Sequence, residues 1–153
     1  MISPKEQLFH VGVKALVHDG QGNLLLLHIT RKNGEKYWDL PGGRIDNGET
    51  AEAALDRELL EETGLTGLVV QKHLGIFMTD ITIPLSESQH ANLLFSVYLY
   101  STTPSSQTTM NTESNMTIRW TSFDEALDDR IGYFPSDLLR VIRSELEQLR
   151  ATA

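Results

Sequence analysis

The amino-acid sequence predicts an α/β fold in which helices pack on a mixed β-sheet. Three observations predict it: runs of branched and aromatic residues flank a central acidic segment, that segment carries helix caps, and the chain closes on an amphipathic stretch. Residues 9–17, FHVGVKALV, combine alternation with a β-branched run; the turn signal DGQGN and then LLLLHI complete a hairpin. The polar stretch TRKNGEKY forms a loop before WDL, a short strand that ends at Pro41-Gly42-Gly43. Thr50 is the expected N-cap of the next helix, with Ala51 and Glu52 in its first turn, and Gly64 stops it at the C′ position. LVVQKHLGIFMTDITI reads as one or two strands, and ANLLFSVYLYST as a further one. TPSSQTTMNTESN is loop-like; TIRWTSF then returns as a strand, and FDEAL begins a short helix. Leu138, Leu139, Ile142, Leu146 and Leu149 stand at helical spacing in the final segment. No repeat or linker divides residues 1–153, so one domain is expected.

The composition narrows the function classes. Of the 153 residues 40% are hydrophobic and 22% charged, close to globular averages, so no disordered or fibrous class is needed. A net charge of -8 argues against a general grip on nucleic acid, which uses a basic face. There is no cysteine, which removes thiolate metal sites, disulfides and cysteine nucleophiles. No signal core or membrane-length apolar run is present, so a cytoplasmic protein with no membrane partner is expected.

The informative segment is GRIDNGETAEAALDRELLEETGL, from Gly43 to Leu65. At about 100° of rotation per residue, Glu58, Glu61 and Glu62 share an arc of roughly 100° on one helix face. Like charges three and four apart each cost a few tenths of a kcal/mol, and acids in a last turn oppose the helix dipole by about 0.3–1 kcal/mol. A solvated face could bear that cost. Upstream, however, Pro41, Gly42 and Gly43 form a turn whose backbone can approach a ligand and whose carbonyls are free oxygen donors. Clustered carboxylates without thiolates make a hard, all-oxygen site suited to Mg²⁺ or Mn²⁺. Arg57, beside the patch, can orient a carboxylate with its planar fork or make an ordinary surface pair.

The same residues resemble the Nudix box. Five residues separate Gly43 from Glu49, seven more lead to Arg57, and Glu58, Leu59, Leu60, Glu61, Glu62, Thr63, Gly64 and Leu65 follow without a departure. The preceding strands, the WDLPGG entry, IRWTSFDEAL and the closing helix also look like this family, in its MutT-type branch. The resemblance implies the Nudix fold, an α/β/α sandwich with a mixed central β-sheet. It implies hydrolysis of the pyrophosphate linkage in a nucleoside diphosphate derivative, with Glu58, Glu61, Glu62 and the Gly42 carbonyl as metal ligands. Arg57 would orient a glutamate, and Glu49 would assist through water.

Glu58 is the first candidate for the base that activates water, Glu113 in the TTMNTESNM loop the second, and Glu87 the third. Arg44, inside the box, is the best phosphate cation; Arg31, Lys32 and Lys36 flank it in sequence. Trp38 and Trp120 are candidates for stacking on a base or for core packing. Asp137 either reads a purine edge or caps the last helix, and the five histidines lack ligand spacing. The expected substrate is a (d)NTP or similar small nucleotide. ADP-ribose or nucleotide-sugar cleavage is the enzyme alternative, with Pro84 a loose counterpart of the proline marking such enzymes. A non-catalytic Nudix nucleotide sensor is the alternative from another class. The Nudix-fold isopentenyl diphosphate isomerases rely on a cysteine that this chain lacks. Many relatives pair, so a homodimer is compatible with the resemblance, although no exposed seam is visible in the pattern.

Overall fold

The computed structural model describes residues 7–102, 110–113, 115–128 and 134–152. Along the chain run β1 (Phe9–His18), β2 (Asn23–Thr30), β3 (Lys36–Asp39), β4 (Gly42–Arg44), α1 (Ala51–Thr63), β5 (Val69–Pro84), β6 (His90–Ser101), β7 (Met110–Glu113), β8 (Met116–Ser122), α2 (Phe123–Ala126) and α3 (Ser136–Thr152). They form one eight-stranded sheet in the order β5-β6-β1-β2-β8-β7, with β3 beside β2 and β4 beside β1. The pairing of β1 with β6 is parallel and the other pairings are antiparallel, so the sheet is mixed.

The apolar run of β2 shows why helices lie on both faces. Leu24 and Leu26 enter one cluster with Leu138, Ile142 and Leu146 of α3, while Leu25 and Leu27 enter another with Ala54, Leu55 and Leu59 of α1. A strand covered on both sides has no polar alternation, hence LLLL. The result is the expected α/β/α sandwich. Helix α1 starts where Thr50 accepts the Ala53 N–H through its hydroxyl and stops where Gly64, at φ 66°, donates its N–H to the Leu60 carbonyl. These caps fix where the acidic turn sits.

Two elements differ from the sequence reading, and one alternative it left open is resolved. The segment read as one or two strands is a single 16-residue strand, β5, which absorbs three register shifts against β6. The loop expected at 103–115 contains β7, paired antiparallel with β8; its residues 103–109 and 114 lie outside the described residues. The Gly42-Gly43 turn is itself a strand, β4, held on β1 with Lys14 opposite Gly42 and Val13 opposite Gly43. Short partners at a sheet margin carry no periodic signal to read. Among the described residues no helix is long and apolar enough to cross a membrane.

Candidate active site

Strand β4 and the C-terminal half of α1 bring the site together. A Cβ on Gly42 would collide with the Val13 carbonyl, and one on Gly43 would occupy the place of the Glu58 carboxylate. Both glycines are therefore demanded by contact: Gly42 by the backbone of β1, Gly43 by an acidic side chain lying against its Cα. The Gly42 N–H donates to Glu62 Oε1 at 2.8 Å. Burial pushes the Glu62 carboxyl up to about 7, against the Gly42 hydrogen bond and the Lys14 charge, which pull it down.

Arg57 is the hub. Its Nε donates to Glu49 Oε2 at 2.8 Å and its Nη2 to Glu49 Oε1 at 2.9 Å, a bidentate fork. Its Nη1 donates to Glu58 at 3.0 Å and to Glu61 at 3.4 Å, and Nη2 also reaches the Arg44 carbonyl at 3.3 Å and Asp46 at 3.4 Å. The fork, with the Asp46 N–H on the same carboxylate, holds Glu49 down to about 2, and the carboxylates in turn raise the Arg57 pKa. Glu61 is more open than Glu58, with 59% of its side chain exposed against 19%.

Glu58 and Glu62 thus lie against β4, while Glu49 and Glu61 are tied to the same site through Arg57. Among the described residues no three acidic or histidine side chains already converge on one point as a finished metal cage. The donor set nevertheless fits a hard divalent cation: it is all oxygen, it is acidic, and Glu58 rests in the cradle that a Cβ at Gly43 would fill.

Of the other expected residues, Arg44 is exposed and meets Arg57 through its backbone. Trp38 is 9% exposed, packed in the α3-side core with its ring 4.7 Å from His28, and it also borders a polar hollow of about 630 Å³ with Lys36 and Arg119. Trp120 packs on the α1 side with its Nε1 buried and unpartnered. Asp137 is exposed in the first turn of α3. Just before it, Phe134 and Pro135 border a second hollow of about 540 Å³ with Arg31, Asp80 and Ile81. Phe134 meets Phe95 edge-on at 6.5 Å, and Lys14 stands 5.2 Å over that same Phe95 ring. Two ring contacts thus connect the second hollow to Lys14. Lys32 and Glu87 are exposed, and Pro84 ends β5. Glu113 ends β7 with its backbone opposite Met116; its side chain lies outside the described residues. His18, His28 and His73 pair with Gln71, Thr121 and Ser96.

Lys14, Asp39 and Asp46 stand at the site and were not singled out from sequence. Lys14 is buried to 9% exposure, and its Nζ donates to Asp39 Oδ2 at 3.3 Å and to the Leu40 carbonyl at 3.2 Å. The available signal was a lysine inside an apolar strand, since lysine is almost never buried unless paired.

A family model described as NUDIX domain matches residues 8–141. Over 52 residues the chain is 48% identical to a putative 8-oxo-dGTP diphosphatase of Bacillus subtilis, covering 34% of each protein. Over 66 residues it is 53% identical to an RNA pyrophosphohydrolase of Vibrio vulnificus, covering 43% of this chain and 36% of that one. The chain thus spans about a third of the length of these curated relatives. The solution structure of the E. coli ORF135 protein superposes with a TM-score of 0.65 at 19% identity, covering 95% of this chain and 94% of that one, a likeness of fold.

Proposed function

Because the chain belongs to the NUDIX domain family, we propose that it is a Mg²⁺-dependent hydrolase that cleaves the pyrophosphate linkage of a small nucleotide, a (d)NTP in the first instance. The observation that carries this reading is the arrangement of three acids of α1 at β4: Glu58 and Glu61 share the Arg57 guanidinium, Glu58 lies against Gly43, and Glu62 accepts the Gly42 N–H. In this reading the three carboxylates and the Gly42 carbonyl hold Mg²⁺, or Mn²⁺ in its place. When bound, the cation would neutralise the pyrophosphate and lower the pKa of an attacking water. Arg57 keeps Glu49 and Glu58 in fixed orientations. Glu58 is the preferred base for the water because it is the acid both fixed by Arg57 and seated against β4; Glu113 is the second candidate.

The hollow bordered by Phe134, Pro135 and Arg31 offers a nucleoside an aromatic wall and a cation, with Asp137 two residues beyond Pro135. A net charge of -8 favours a small nucleotide over an RNA chain, whose many phosphates would meet an acidic surface. The alternatives are ADP-ribose or nucleotide-sugar cleavage and a nucleotide sensor without turnover. Binding alone does not require every carboxylate of the box, and this favours an enzyme over a sensor.

The test is a nucleotide panel with Mg²⁺, assayed by product identity. The reading expects a nucleoside monophosphate and pyrophosphate from a triphosphate, and no product from Glu61→Gln. Release of AMP from ADP-ribose alone would replace the substrate, and tight binding without turnover of any nucleotide would establish the sensor.

A further inference from the structure

We propose that Lys14 is a positioning residue: it tethers the Asp39 carboxylate to the start of the Leu40–Gly43 turn and so keeps a further acid out of the cation-binding group. This rests on the metal-dependent reading above. Asp39 stands three residues before Gly42 at the end of β3, with 27% of its side chain exposed. Its Oδ2 lies 3.3 Å from Lys14 Nζ, and its Oδ1 accepts the Leu40 N–H at 2.7 Å. The same Nζ donates to the Leu40 carbonyl at 3.2 Å, and the ammonium lies over the Phe95 ring. Lys14 is also the β1 partner of Gly42, whose N–H holds Glu62. One buried cation therefore ties together the acid, the turn and the strand that carries the turn.

The chemistry of a hard cation makes the tether consequential. Mg²⁺ in a catalytic site keeps positions for water and for phosphate oxygens, and a charged carboxylate within reach displaces either. Asp39 is such a carboxylate, next in the chain to the turn that the ligands face. Held by Lys14, it leaves those positions to substrate; released, it becomes a rival for them. Removing Lys14 should accordingly strengthen metal binding while weakening catalysis, and a loosened fold would not produce that opposition.

The experiment is calorimetric titration of the nucleotide-free protein with Mn²⁺, alongside turnover of the best nucleotide from the panel. Lys14→Met should bind Mn²⁺ about tenfold more tightly and turn over about tenfold more slowly. Lys14→Met combined with Asp39→Asn should return Mn²⁺ affinity to within about twofold of the unmodified protein, and Lys14→Arg should retain it. Should Lys14→Met fail to fold by circular dichroism, Lys14→Gln keeps a donor for the Leu40 carbonyl, drops the charge and reads the same release. Unchanged or weaker Mn²⁺ binding in the folded variant, or a double variant that does not revert, overturns the proposal. Unmodified protein that takes up no Mn²⁺ overturns the metal reading as well, which separates the two failures.

Discussion

Adding one methyl group at Gly43 separates the site from the scaffold. The Cβ of Gly43→Ala would take the space of the Glu58 carboxylate, and the atoms it meets are the far end of a flexible side chain. Glu58 can swing away at the loss of its 3.0 Å bond to Arg57, while the Glu49 fork remains intact. The stability cost should therefore sit at the low end of the overpacking range, about 1 kcal/mol. At Gly42 the same methyl meets the backbone of Val13 and Lys14, which cannot move without parting β4 from β1, and φ is 153°. Gly42→Ala should cost about 3 kcal/mol or more. Urea denaturation of both variants measures these terms, and calorimetric Mn²⁺ titration measures the site. Gly43→Ala is expected to fold and to lose at least about tenfold in Mn²⁺ affinity, equivalent to about 1.4 kcal/mol. Folded Gly43→Ala with cation affinity within twofold of the unmodified protein would refute the inference that the cradle at Gly43 seats a ligand.

Other expectations follow from single contacts. Arg57→Lys loses the planar fork, so the Glu49 carboxyl should rise from about 2 toward its ordinary 4.5, which a carboxyl NMR titration would register, and turnover should fall with it. His28 accepts a hydrogen bond from Arg119 Nε at 3.1 Å, and burial with that neighbouring charge holds its pKa down at about 4. The unfolded chain then takes up the proton first, so stability is highest above pH 6.5 and falls as pH drops from 6.5 to 4; allowing for solvent screening at a half-buried ring, the loss should be about 1 kcal/mol. His28→Gln should flatten that slope in denaturation curves collected across this range. Tyr100→Phe removes a buried hydroxyl that donates to Asp56 at 2.8 Å, and urea denaturation should show a loss of about 1 kcal/mol. Leu146→Ala, at a fully buried position under the sheet, should cost about 2–5 kcal/mol in the same assay.

What could be read from sequence is what has a local or periodic cause. The caps of α1 are local: Thr50 and Gly64 act within four residues of themselves, and the structure places both as expected. The apolar run of β2 and the spacing of Leu138, Ile142 and Leu146 follow from burial on one or two faces, which the period records. Strands β4 and β7 exist because a neighbour supplies hydrogen-bond partners, and three residues of Gly-Gly-Arg carry no hydrophobic pattern to announce that. The same limit applies at the site. Lys14 and Asp39 lie 25 residues apart and meet only after β1, β3 and β4 have assembled. Trp38 illustrates the ambiguity of a large aromatic: next to a turn it is equally suited to a ligand and to the core, and packing in the α3-side cluster, with His28 opposite it on β2, is what buries it.

The acids near the end of α1 now have a physical account that starts from charge balance. Glu49, Glu58, Glu61 and Asp46 all contact one guanidinium, and Glu62 and Asp39 lie near one ammonium. Arg57 relieves the repulsion in its neighbourhood but cannot neutralise four carboxylates, and Lys14 is already committed to Asp39 and a carbonyl. A triphosphate entering this group would bring further negative charge to a place with no spare cation among these contacts. Neutralising the acids by substitution would admit the anion but remove the oxygen donors; adding lysines would admit it without acidifying a water. A divalent cation is the addition that does both, so dependence of turnover on Mg²⁺ should be absolute rather than graded. Turnover of a nucleoside triphosphate by protein stripped with a chelator would remove the basis for this account.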